Sequence, residues 1–219
     1  MSFLKKATAD TGSGRLTPRS LFVPALVLGI TVAIVLDTTV VRHGSELDPR
    51  TASFSAEAFG RNEFPRVQEW VVHNAVDWQT LYQSIQDDRD AAISEYGTSG
   101  GAFPIFPVTL QGEILEGERG TLTLEVPGAP EGFTVRFQSG PAINGTELRD
   151  ITGTISFQQF TNQIEYQDAG QALNNAMRES VLDTLDRNQL PGGRVELVGA
   201  FTMINPNNWL ITPVRVNLL

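Results

Sequence analysis

The stretch that organises the sequence reads GPAINGTELRD at residues 140–150 and, shortly after, SFQQFTNQIEYQDAGQALN at residues 156–174. It begins with a glycine–proline break and is the densest run of uncharged polar side chains in the chain. Strand-like segments lie on both sides of it. The pattern therefore predicts a polar, partly helical insertion between strands.

Before this stretch, apolar and polar residues alternate in three segments, as in strands with one buried face. The apolar positions are Val108, Leu110 and Ile114, then Leu122, Leu124 and Val126, then Phe133, Val135 and Phe137. In the third segment, Thr134, Arg136 and Gln138 are expected to point outward. Glycine-rich and proline-rich turns separate the segments.

Two more strands are predicted after the insertion, around residues 195–201 and 210–219, with Pro213 at an edge or a bulge. Three strands, a helical insertion and two strands follow the order of a small Greek-key barrel of the OB type. The predicted fold class is mainly β with α: a five-stranded OB-type barrel with a helical insertion between strands 3 and 4.

Helices are predicted ahead of the barrel. Ser55 and Asp77 are candidate N-caps, and Pro65 is expected to kink or restart the first helix. The second helix has an apolar face at Trp78, Leu81, Tyr82 and Ile85.

The insertion carries helix signals of its own. Ser156 and Gln159 are predicted to form a capping box, and Asp168 is predicted to cap the longest helix, which runs to about Leu185.

The amino-terminal segment has the pattern of a membrane anchor. Lys5, Lys6, Arg15 and Arg19 precede an uncharged apolar run that ends at Leu36. The positive flank predicts a cytoplasmic amino terminus and an exported body, with a single pass through the inner membrane. A buried core helix is the alternative, and cleavage of the segment stays open. The predicted divisions are a basic leader at 1–20, a signal anchor at 21–41, a linker at 42–53, a helical subregion at 54–97 and a barrel domain at 98–219.

Composition excludes several kinds of chemistry. The chain has 219 residues, a net charge of −9, two histidines and no cysteine. Disulfides, thiolate metal sites, cysteine nucleophiles and lipid attachment through cysteine are therefore excluded. An acidic body repels phosphate backbones, so nucleic acid is not expected as a partner. No cofactor is predicted, although carboxylates leave a hard cation possible.

The two motifs GPAINGTELRD and FQQFTNQIEY resemble the signature of DUF2291, a family of predicted periplasmic lipoproteins. The resemblance covers the region from about Phe54 to Leu219. It implies an envelope protein with no established activity and an accessory role beside sugar ABC transporter components. Members usually carry a lipid-bearing cysteine after the apolar run. Here that place is taken by residues 36–39, Leu-Asp-Thr-Thr, so a helix would have to provide any anchor.

Eight polar residues of the two motifs are candidates for binding a ligand or a partner, and we expect them to form one patch: Asn144, Thr146, Arg149, Asp150, Asn162, Gln163, Glu165 and Tyr166. Arg149 suits a carboxylate or a pair of sugar hydroxyls, and the alternative is an internal ion pair. The amides and Tyr166 suit a carbohydrate, and the alternative is that they satisfy buried backbone groups.

The sequence supports two classes of function. The first is a non-catalytic envelope module that binds a small sugar or a subunit of a sugar ABC transporter. The second is a carbohydrate hydrolase, which would need paired carboxylates. Its candidates are Glu113, Glu116, Glu118 and Glu125, which are expected on a solvated face or in a turn.

Overall fold

The computed structural model describes residues 54–99, 101–186 and 190–219. Its elements are, in order, α1 (Ala56–Asn74), β1 (Val76–Asp77), α2 (Trp78–Asp87), α3 (Arg89–Tyr96), β2 (Thr98–Ser99), β3 (Pro104–Leu115), β4 (Thr121–Glu125), β5 (Thr134–Gln138), α4 (Glu147–Asp150), α5 (Gln163–Met177), β6 (Arg194–Thr202) and β7 (Asn208–Leu218). A 3-10 turn covers Phe157–Gln159, and a π-helical turn, Arg178–Leu182, extends α5.

The expected membrane anchor at residues 21–41 lies outside the described residues. Within the described ranges, no helix is both long enough and apolar enough to cross a bilayer.

The five long strands close into a mixed barrel. Their order is β3–β4–β5–β7–β6, and β6 pairs with β3 to complete the circle. All neighbours are antiparallel except β5 and β7, which run parallel. Helices α4 and α5 lie between the third and fourth strands of the barrel, as predicted. The register shifts between Val198 and Gly199, opposite Pro213, so the proline sits at a bulge.

The inward positions of the strands build the core. The apolar residues predicted from the alternation are buried there, except Leu122 and Phe133, which are partly buried and pack against the core. The largest fully buried side chains of the barrel include Phe106, Phe137, Phe201 and Trp209. Trp209 stacks on Phe201 with 4.4 Å between ring centroids. Burial of such rings is the main favourable term for a fold of this kind.

Helix α1 packs on α5 and on one side of the barrel. Gly60 permits the close approach, because a Cβ atom there would collide with the backbone carbonyl of Ala172. Ser55 caps α1 as predicted, accepting a hydrogen bond from the amide of Ala58. The expected restart of the helix at Pro65 is wrong, since α1 runs through this residue without a break. Pro65 has no N–H to donate to the carbonyl of Arg61. Both residues are exposed, so water can hydrate that carbonyl instead.

Asp77 caps α2 as predicted, accepting hydrogen bonds from the amides of Gln79 and Thr80. The predicted capping box of Ser156 and Gln159 is wrong. The side chain of Ser156 makes no cap hydrogen bond, and Gln159 instead donates to the carbonyl of Thr154.

The longest helix of the insertion begins at Gln163, so Asp168 lies inside it rather than at its N-cap. The residue that caps it is Asn162. Asparagine and aspartate are equally good N-caps, but the earlier start lets Asn162 and Glu165 together accept hydrogen bonds from the amides of Thr161, Ile164 and Glu165.

Candidate functional site

Arg149 lies where the two polar motifs meet. It sits on the single turn α4, and its guanidinium reaches the first turns of α5. Nε and Nη2 donate to the carboxylate of Asp150 at 2.7 and 2.9 Å, while Nη1 donates to the carbonyl of Tyr166 at 3.2 Å. The side chains of Arg149 and Asp150 are only 10% and 11% exposed. The pair is therefore an internal, bidentate ion pair that joins the motifs.

The carboxylate of Asp150 is fully occupied. Besides both bonds from Arg149, it accepts one from the hydroxyl of Thr146 at 2.7 Å and one from the hydroxyl of Tyr166 at 3.3 Å. A carboxylate has about four acceptor positions, so none is left for an added donor. Arg149 has five N–H groups and uses three of them in these contacts.

Tyr166 contacts both members of the ion pair. The Cζ atom of Arg149 lies 3.7 Å from the centroid of the Tyr166 ring, which is a cation–π contact. Burial, followed by the charge of Asp150, raises the pKa of Tyr166, so its phenol remains a hydrogen-bond donor. Phe157 and Phe160 pack against the same ring, with centroids 5.8 and 5.4 Å away.

An open cleft of about 430 Å³ lies against this cluster. We call it the Arg149 cleft, and its lining residues are Ser99, Gly101, Arg149, Asp150, Gly153, Ile155, Ser156, Phe157, Gln158 and Tyr166. Phe157 is 46% exposed. The lining carries one cation and one anion, which neutralise each other. The cleft thus combines aromatic rings with hydroxyl and amide groups and has no net charge.

Asn162 and Glu165 cap α5. The Asn162 side chain accepts hydrogen bonds from the amides of Ile164 and Glu165, each at 3.0 Å. The carboxylate of Glu165 reaches back to the amide of Thr161 at 2.9 Å. This reciprocal arrangement satisfies free amides at the helix start, and it gives both side chains a structural task.

Two other candidates stand apart from the cluster. Asn144 is exposed, and its backbone N–H and carbonyl are held by the side chain of Gln138. Gln163 is exposed in the first turn of α5. Within the described residues, neither the Asn144 nor the Gln163 side chain makes a hydrogen bond. Of the eight candidates, the structure therefore joins Thr146, Arg149, Asp150 and Tyr166 in one network.

A second polar cluster, which the sequence did not reveal, lies under α4. Oε1 of Glu147 accepts a hydrogen bond from Thr202 of β6 at 2.9 Å, and Oε2 accepts a weak one from Thr212 of β7 at 3.5 Å. Gln138 of β5 also donates to Thr212, at 2.8 Å. Burial raises the pKa of Glu147. The cluster fastens α4 to β6 and β7, and Gln138 of β5 joins Thr212 to the loop before α4.

Gln138 was expected to point into solvent, yet it is 4% exposed. Its position on β5 does face outward, but the loop that leads to α4 covers it. Thr212 is likewise fully buried at an outward position, between the inward-facing Ile211 and the bulge. A polar residue at the end of a strand was the available signal, and the covering loop could not be foreseen from alternation alone.

The carboxylates considered for hydrolysis lie elsewhere. Glu113, Glu116, Glu118 and Glu125 are exposed on β3, β4 and the turn between them, and none of them lines the Arg149 cleft. Glu113 and Glu125 are direct neighbours across β3 and β4. In the described part of the chain, no group of three or more histidine or acidic side chains is placed to hold a metal ion.

Comparison with known proteins agrees with this architecture. A crystal structure of an OB-fold protein from Thermotoga maritima has a TM-score of 0.62 and 16% sequence identity, and the match covers 76% of this chain and 99% of that one. At this identity the likeness shows the fold alone. No curated protein matches the chain.

The family model described as a predicted periplasmic lipoprotein, DUF2291, matches residues 25–217. It spans both polar motifs and all the elements from α1 to β6, so the chain belongs to the DUF2291 family of predicted periplasmic lipoproteins.

Proposed function

We propose that this protein is a non-catalytic accessory protein of the cell envelope that binds a small polar ligand in the Arg149 cleft. The observation that carries the proposal is the cleft itself, which lies where the two polar motifs meet. A buried ion pair fixes its wall, and a half-exposed aromatic ring, Phe157, stands at its rim. Such a combination of aromatic and polar groups is typical of ligand sites.

A neutral sugar is the ligand class that fits best. Asp150 balances the charge of Arg149, so an anionic ligand gains little net attraction there. Phe157 offers a ring face for the C–H groups of a pyranose, and Ser99, Ser156 and Gln158 offer hydroxyl and amide groups for its oxygens. The proposal extends to a role beside a sugar ABC transporter, either by delivering ligand or by contacting a subunit.

A thermal-shift screen of the full-length chain against neutral hexoses and pentoses tests the ligand. A sugar that binds the folded state should raise the melting temperature, since a ligand at 100 times its dissociation constant stabilises by about 2.7 kcal/mol. Charged sugar phosphates serve as the comparison and should give a smaller shift. A screen in which no neutral sugar raises the melting temperature would contradict the sugar assignment.

The proposal also includes a helical anchor. The chain has no cysteine to carry a lipid, and the uncharged run before Leu36 is preceded by basic residues. A single pass with the amino terminus in the cytoplasm follows from the positive-inside rule. An enzyme reporter that is active only after export should therefore be active when fused after Leu219. Activity from a reporter that works only in the cytoplasm would overturn this topology.

A further inference from the structure

We infer that Glu147 is a positioning residue for the Arg149 cleft. Its carboxyl group holds α4 on the barrel, and loss of the proton from this group weakens the attachment. The inference rests on the proposed function for its biological meaning, because the cleft is the site that α4 builds.

Helix α4 is very short. This helix has a single turn, Glu147–Asp150, and its internal hydrogen bonds run from the amides of Arg149, Asp150 and Ile151 to the carbonyls of Thr146 and Glu147. One turn is not stable in isolation. The helix therefore depends on its tertiary contacts, and it carries both members of the ion pair that forms the cleft wall.

Glu147 is held by the barrel. Its carboxylate accepts hydroxyl hydrogen bonds from two different strands, from Thr202 and Thr212. Gly145 has φ +96° and no side chain, and a Cβ atom there would collide with this carboxylate. The loop is thus shaped around the carboxyl group, as expected for a contact that fixes the start of the helix.

Asn174 contacts the loop that precedes α4. Asn174 of α5 is 2% exposed, and its Nδ2 donates to the carbonyl of Gly145 at 3.0 Å. Its Oδ1 is buried and has no hydrogen-bond partner within the described residues. An unsatisfied buried acceptor costs about 1–3 kcal/mol. Asn174 therefore holds the loop before α4 from the side of α5.

Burial raises the pKa of Glu147, whereas hydrogen bonds from its own backbone amide, Thr202 and Thr212 lower it. Asp150 is the charged group that acts on it, in the direction of a higher pKa, and Arg149 neutralises much of that charge. The contacts from β6 and β7 come from uncharged hydroxyls. Titration in this cluster is therefore centred on Glu147.

The direction of the pH dependence follows from the linkage between proton binding by Glu147 and the opening of α4. When α4 opens, the carboxyl group meets water and regains an ordinary pKa, so the closed state binds the proton more tightly. The extra stability of the closed state is complete below the ordinary pKa of about 4.3. It is lost as pH rises through the raised pKa of the closed state. The opening constant of α4 then grows by about tenfold for each unit of pKa difference and levels off above it.

Hydrogen exchange of the full-length chain at several pH values between about 4 and 8 tests the inference, with rates corrected for intrinsic exchange. The amides of Arg149, Asp150 and Ile151 should lose protection as pH rises, and the amides of β3 and β6 should not. In the variant Glu147→Gln, protection of these three amides should not depend on pH. The matched control Glu131→Gln changes an exposed loop carboxylate and should behave like the wild type.

Equal protection at all pH values in the wild type would overturn the inference, and so would an unchanged pH profile in Glu147→Gln. If Glu147→Gln does not fold, Thr202→Val takes its place. It removes a hydrogen bond that lowers the pKa, so the loss of protection should move to higher pH. A shift to lower pH, or no shift, would contradict the inference. No ligand is needed, so failure here is distinguishable from failure of the sugar screen.

Discussion

Replacing Arg149 with alanine should lower the free energy of unfolding by about 3 kcal/mol, the lower end of the range for breaking a buried ion pair. The Asp150 side chain, which is 11% exposed in the wild type, would lose two of the four donors to its carboxylate. Water in the adjoining cleft can hydrate it in part, which is why the larger values of that range are not expected. Urea unfolding of the full-length chain measures the effect.

The variant Asn162→Ala is the matched comparison, because it lies in the second motif but only caps α5. Losing an N-cap costs about 1 kcal/mol. If Arg149→Ala and Asn162→Ala cost the same, the ion pair does not join the motifs in the way described. Because Arg149→Ala affects stability, loss of ligand binding in that variant says little about the cleft.

The variant Phe137→Ala should cost about 3–5 kcal/mol, the usual effect of truncating a fully buried phenylalanine. Phe137 is 0% exposed on β5, at the point where this strand pairs with β4 and β7. Chemical unfolding measures the change. The control is Phe103→Ala, whose ring is 41% exposed and should cost less than about 1 kcal/mol. A cost below about 1 kcal/mol for Phe137→Ala would mean that this ring is not part of the core.

The barrel could be predicted because apolar and polar residues alternate in the three segments before the insertion, at residues 108–114, 122–126 and 133–137. Val135 and Phe137 are buried as their period requires, and the helical insertion comes at the predicted place. Alternation reports burial only against the sheet itself. Gln138 is buried by the loop that leads to α4, which begins directly after it, and alternation carries no signal for such a loop contact.

Cap residues were predicted with mixed success for a related reason. Ser55 and Asp77 stand alone before their helices and were identified correctly. Before α5, Asp168 was predicted as the cap because apolar residues at helical spacing begin directly after it, at Ala169, Ala172 and Leu173, whereas Asn162 is the cap in the structure. The structure extends the helix forward because Asn162 and Glu165 satisfy its free amides together. The start of α5 is therefore set by these local hydrogen bonds and not by the first buried residue of the helix.

The residue types of the candidate site could be predicted from the sequence, but most of the contacts between them could not. The ion pair of Arg149 with its own neighbour Asp150 was one of the two alternatives that the sequence left open, and it is present. Glu147 was missed because its partners Thr202 and Thr212 lie more than 50 residues away in sequence. Such contacts appear only once the barrel has closed.

The most direct test of the proposed binding site is a calorimetric titration of the best neutral sugar from the thermal-shift screen into three full-length proteins. Wild type and Leu210→Ala should bind alike, because Leu210 is 38% exposed on β7 and does not line the Arg149 cleft. Phe157→Ala should bind about tenfold more weakly, since an aromatic contact is worth up to about 1.5 kcal/mol. Equal affinity of Phe157→Ala and wild type would contradict binding in this cleft.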